Sequence, residues 1–153
     1  MTFKAAVLAV PQLRGAYCPG LQALRERDRD RIECRGTRRL AGSINLETAL
    51  PSASPHEPRW DYGIGHGSGH EDEAIWVEVH PASSHHVTEV IRKAQWLKGW
   101  LRRHASALLT MTRKPDGYVW LATGTVSLQR GSRQARQLAL AGVAFPQRRL
   151  RLS

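Results

Sequence analysis

Cysteine, lysine and long apolar runs are all scarce in this 153-residue chain, and each scarcity narrows what the chain can be. The two cysteines, Cys18 and Cys34, form no C-x-x-C pair. There is therefore no zinc signature, and a reduced, cytoplasmic protein is the default expectation, with one disulfide left open. No apolar run approaches the ~20 residues of a membrane-crossing helix. The run over 5–10 is shorter than a signal-peptide core, is stopped by Pro11 and has no small-residue cleavage pattern after it. The expectation is a chain that neither spans a membrane nor is exported. Internal repeats are also lacking.

What is present in excess is arginine. Only four of the 23 basic residues are lysines, and the formal net charge is +10. Guanidinium groups suit bidentate phosphate contacts, so the balance favours a polyanionic partner, nucleic acid first. The charge is uneven. Residues 57–78 hold six acids against one arginine, whereas residues from 79 onward hold two acids against thirteen lysines and arginines. An acidic centre in a basic shell is what a metal-dependent enzyme acting on phosphodiesters needs. A solvated acidic loop would look the same.

The hydrophobic and charged fractions are those of an ordinary folded domain. Residues 1–20, broken by Pro11, Gly15, Pro19 and Gly20, read as an N-terminal extension, and 21–153 as a single α/β domain. Residues 21–33 suggest a solvated helix with alternating charges. Residues 38–46 alternate as a strand, and 51–58 form a loop by composition. Residues 60–64 and 74–79 then read as an antiparallel hairpin joined through the Gly/His string 65–69. Residues 85–108 carry the clearest helical stripe, through Val87, Val90, Ala94, Leu97 and Leu101. A buried strand over 118–123, a short helix over 131–141 and an edge strand over 148–152 complete the chain.

The hairpin carries the chemistry. Each strand places an acid inside an apolar run, Asp61 in the first and Glu78 in the second, and a carboxylate so placed is costly without a partner. Two on adjacent strands point to a shared cation. Alternation sets Glu78 and His80 on one face, with Trp76 below them. His66 and His70, beside Glu71, Asp72 and Glu73, leave open whether the loop 66–73 binds metal, with a flexible polar hairpin tip as the plainer reading.

The order helix, three strands, long helix, strand, with Asp on the second strand and Glu-x-basic on the third, resembles the PD-(D/E)XK nuclease superfamily. That resemblance implies a central mixed β-sheet flanked by helices (an αβββαβ core, restriction-endonuclease-like) and a divalent-metal-dependent endonuclease. Asp61 and Glu78 would hold Mg²⁺ or Mn²⁺, which polarises the scissile phosphate and activates water. His80 stands where the family has lysine, and Trp60 where it has the motif proline. His80 would then be the base or the lysine substitute. Lys93, Gln95 and Lys98 would assist from the following helix. Arg92, Arg102, Arg103, Arg133 and Arg136 are the candidate phosphate contacts. Two other readings remain: a non-catalytic nucleic-acid-binding or scaffold subunit, and an assembly protein meeting an acidic partner. Trp96 and Trp100, four apart on the long helix, suggest self-association into a homodimer or larger complex.

Overall fold

In a computed structural model, which describes residues 1–50 and 57–153, the chain runs through α1 (Phe3–Leu8), α2 (Glu26–Arg29), β1 (Ile32–Cys34), β2 (Leu40–Asn45), α3 (Leu46–Ala49), β3 (Tyr62–Gly67), β4 (Asp72–His80), α4 (Val87–His104), α5 (Ser106–Thr110), β5 (Tyr118–Ala122), α6 (Arg133–Leu140) and β6 (Leu150–Leu152). The loop expected over 51–58 falls, for residues 51–56, outside the described residues.

The central sheet has the order β2-β3-β4-β5. β2, β3 and β4 form an antiparallel meander, and β5 lies parallel to β4. A parallel neighbour needs a long crossover, which α4 supplies. The domain is therefore α/β, with a mixed sheet flanked by helices in the expected order. β5 has a regular partner on one edge only. Its other edge is covered by the irregular segment 143–147, where the Ala144 N–H donates to the Tyr118 carbonyl (2.9 Å) and the Gln147 N–H to the Trp120 carbonyl (3.1 Å).

Strand alternation gives the sheet two apolar faces. One carries Trp76 and Trp120 beneath α1 and the α4 stripe of Val87, Val90, Ala94, Leu97 and Leu101. The other carries Ile64, Ile75, Val77, Val119 and Leu121, and packs against Leu24, Ile32, Leu150 and Leu152. Those last residues come largely from a separate two-stranded parallel pair, β1 with β6.

Several sequence expectations change. Residues 21–33 are not one helix. Their few apolar positions make no helical stripe, so α2 spans four residues and Ile32 enters β1. The segment 1–20, expected as an extension, contributes Phe3, Ala6, Val7, Val10 and Leu13 to the main core. Thr2 caps α1 by accepting from the Ala5 N–H at 3.1 Å. Trp60 does not share a face with Tyr62 and Ile64. β3 begins only at Tyr62, and Trp60 packs in the core on the Trp76 side. Trp100 is buried and Trp96 half-buried, with the Trp96 indole N–H donating to Glu57 Oε1 at 2.8 Å, so the pair is not an open aromatic surface. Among the described residues no helix is long and apolar enough to cross a membrane.

Candidate active site

Asp61 lies one step before β3, and Glu78 lies near the end of β4. Tyr62 pairs with Val77, so the same antiparallel register brings Asp61 opposite Glu78. Side chains then replace the ladder. The Asp61 N–H donates to Glu78 Oε1 at 3.1 Å, and the Val79 N–H donates to Asp61 Oδ2 at 2.9 Å. The Asp61 carbonyl accepts from the Leu46 N–H at 2.8 Å, which ties the same residue to the end of β2. Each carboxylate is thus locked to the other residue's strand.

Lys93 completes the group. From the second turn of α4 its Nζ donates to Glu78 Oε2 at 2.6 Å. The Glu78 side chain has no exposed surface and that of Lys93 is 18% exposed. Three of the residues singled out in the sequence, Asp61, Glu78 and Lys93, are therefore in one cluster.

All three groups hold protons more tightly than usual. Burial, then the Asp61 charge, pushes Glu78 up to about 8 against the pull of Lys93. Burial raises Asp61, with Glu47 and Asp28 adding to it, while the Val79 N–H and Lys93 oppose. Burial would lower Lys93, but the charge and hydrogen bond of Glu78, with Asp61 and Glu89 adding to them, together outweigh it and raise the ammonium. Two carboxylates, Asp61 and Glu78, thus share the single ammonium of Lys93, which donates to Glu78 Oε2 at 2.6 Å. A desolvated cluster with surplus negative charge binds protons, and by the same physics favours an added cation.

Asp28 and Glu47 were not singled out in the sequence. Asp28 sits within a run of alternating charges and Glu47 at the start of α3, and neither position carries a periodicity signal. Asp28 accepts from the Tyr62 hydroxyl, which draws α2 toward the start of β3.

The other expected residues lie elsewhere. His80 has Nε2 3.2 Å from Glu89 and Nδ1 3.0 Å from the Pro81 carbonyl, and its ring packs against His86. Although alternation puts it on the Glu78 face, it turns toward the start of α4 and does not meet the carboxylates. Gln95 is exposed; two residues beyond Lys93, it falls on the opposite flank of the helix. Lys98 donates to the Ala141 carbonyl at the end of α6 and lies over the Tyr118 ring, 4.8 Å from its centroid. It neutralises a helix C-terminus, which removes it from the site. Arg92, Arg102 and Arg103 are exposed on α4, and Arg133 and Arg136 on α6. Arg136 is tied back to the Gly131 carbonyl at 3.1 Å.

In the His-rich hairpin, His66 Nε2 lies 2.8 Å from the Ser153 carbonyl, and His70 is exposed. Asp72 is buried and structural, accepting from the Phe3 N–H at 2.8 Å and the Gly69 N–H at 3.0 Å. Among the described residues no group of three or more His, Cys, Asp or Glu side chains is arranged to hold a metal ion. Any metal here would rest on Asp61 and Glu78. That donor set fits a hard divalent ion such as Mg²⁺, which is often held by one or two carboxylates and completes its shell with water and phosphate.

Comparison with known protein families, curated proteins and solved structures finds no match to this chain. Nothing in those comparisons assigns it to the PD-(D/E)XK superfamily, and a functional reading rests on the cluster alone.

Proposed function

We propose that the protein is a metal-dependent nuclease that hydrolyses nucleic acid phosphodiester bonds at the Asp61–Glu78–Lys93 cluster. The observation that carries this reading is the placement of Lys93. The resemblance calls for a permanent cation beside the strand acid; the sequence has His80 at that position, and α4 delivers an ammonium to Glu78 instead.

Asp61 and Glu78 would hold Mg²⁺ or Mn²⁺, which supplies Lewis-acid polarisation of a phosphoryl oxygen and a more acidic water. Asp61 is the more accessible ligand, and the Val79 N–H orients it. Glu78 has one bond on each oxygen, and a carboxylate oxygen can accept a second. Lys93 offsets the charge of the buried carboxylate and stands where negative charge on a phosphate would gather. The surplus negative charge of the cluster keeps a phosphodiester away until a cation is bound, which makes binding of metal and substrate cooperative.

The second reading, a nucleic-acid-binding or scaffold subunit with a degenerate site, is favoured by one observation. Lys93 and the Asp61 N–H already occupy both oxygens of Glu78, so a closed ion pair could stand in place of the metal.

The test is incubation of plasmid DNA and of RNA with the protein plus Mg²⁺ or Mn²⁺. Cutting is expected, is abolished by chelator, and is lost in Asp61→Asn and Glu78→Gln. Lys93→Met should reduce it roughly a hundredfold or more, as for loss of a transition-state donor. Thermal melting checks that each variant is folded. Cutting that persists in both acid variants removes this mechanism, and binding without cutting selects the second reading.

A further inference from the structure

On the far side of the sheet from Glu78 lies a cleft of about 920 Å³ between the 27–31 segment and the 144–151 segment. Its walls carry Arg27, Arg31, Arg113, Arg148, Arg149 and Arg151, with no lysine. Only Asp30 and Asp116 oppose them, so the lining keeps a balance of four positive charges. None of the arginines expected to contact phosphate is among them.

The way these guanidinium groups are held matters more than their number. Arg31 Nη1 donates to the Ala122 carbonyl at 3.1 Å, Arg113 Nη2 to the Asp116 carbonyl at 2.8 Å and Arg149 Nη1 to the Asp30 carbonyl at 3.2 Å. A neutral carbonyl fixes a guanidinium without cancelling its charge, which lowers the ordering cost of a later anion contact. Arg31 also keeps its Nε buried without a partner among the described residues, a cost that a neutral side chain would avoid. Glu33 offsets part of Arg149 and Arg151, at 3.3 and 3.5 Å. Arg27 and Arg148 are exposed and have no ion-pair partner among the described residues.

The cleft does not end at its own rim. Arg113 and Arg151 also line an adjoining hollow with Arg39, His66, Glu71 and Glu73. Arg151 is shared again with a hollow beside Arg35. Linked concavities joined by shared arginines fit an extended chain of phosphates better than one small anion. From this we infer that the arginine cleft between α2 and β6 binds the phosphodiester backbone of a nucleic acid, at a site separate from the carboxylate cluster. The inference shares a ligand class with the proposed function but does not need the cluster to cut.

The experiment is fluorescence anisotropy of the full chain with a labelled duplex and a labelled single strand, in chelator so that no cutting intervenes. The double variant Arg27→Ala/Arg148→Ala should weaken binding about tenfold near physiological salt and lower the salt slope by roughly two, one per lost phosphate contact. Arg102→Ala/Arg103→Ala removes the same charge from α4 and should change affinity by no more than about twofold if the cleft is the site. Equal losses in the two double variants would mean that net charge alone drives binding, and would overturn the inference. So would unchanged binding by Arg27→Ala/Arg148→Ala, no binding by the native chain, or equally tight binding of a labelled poly-glutamate. Binding retained without cutting on adding metal would overturn only the hydrolase reading.

Discussion

Glu78 has no exposed surface, and at neutral pH such a side chain needs a countercharge or a proton. Lys93 offers the countercharge, but burial and then the Asp61 charge outweigh it and push the Glu78 carboxyl up to about 8. The sign of the pH dependence follows. Glu78 keeps its proton to a higher pH when folded than its ordinary 4.5, so its penalty on stability is absent below about 4.5 and grows as pH rises toward 8. Asp61 shifts in the same direction. Thermal unfolding between pH 4.5 and 8 should therefore show stability falling with pH by an amount on the order of a few kcal/mol. Glu78→Gln should flatten that slope; an unchanged slope would place the titration elsewhere. At this scale the sequence was informative about the two acids, because a charge inside an apolar strand is conspicuous. It was silent on Asp28 and Glu47, which sit among other charged residues. It also put His80 first, with Lys93, Gln95 and Lys98 as auxiliaries, although of these only Lys93 reaches Glu78.

At the scale of elements, the glycines of β3 decide how the helical layer sits. A Cβ at Gly63 would fall 2.6 Å from the Trp76 ring, and one at Gly65 would fall 2.3 Å from the Phe3 ring. These glycines expose bare backbone on which a tryptophan and α1 lie directly. Gly65→Ala should destabilise the fold by about 1–3 kcal/mol, the usual cost of overpacking, and should speed amide exchange along α1 before the sheet itself opens. Normal protection in α1 would contradict that packing. In the sequence Gly65 read as the start of a turn string, since glycine beside histidine and serine is turn chemistry by composition. The structure keeps it in the strand because its ladder position faces the ring of Phe3, from the far N-terminal end of the chain, and not its neighbours. The α4 stripe, by contrast, was fully legible, because five buried positions at helical spacing need no distant partner to be recognised.

For the whole molecule, the first residues belong to the core. Phe3 and Val7 are fully buried, and Leu13 closes the same cluster. Removing residues 1–13 should abolish the cooperative thermal transition, since deleting even one large buried side chain costs several kcal/mol out of a stability of about 5–15 kcal/mol. A truncated chain that melts cooperatively at the native temperature would show the segment to be dispensable. Charge also takes a spatial form at this scale: Asp61 and Glu78 lie at the open end of the hairpin and Glu71, Asp72 and Glu73 at its tip, while arginines from the 27–31 and 144–151 segments meet in one cleft.

The sequence by itself determined which residues of β4 share a face, where the crossover helix runs, and that two acids would lie close together on a hairpin. These follow from periods of two and 3.6 residues, which are properties of the local backbone. Only the tertiary structure decided that Lys93 and not His80 meets Glu78, that the N-terminal segment is core, and that arginines far apart in the chain form one cleft. Each depends on the rotation of a helix about its axis or on the docking of distant segments. Those are set by long-range packing, to which local periodicity is blind.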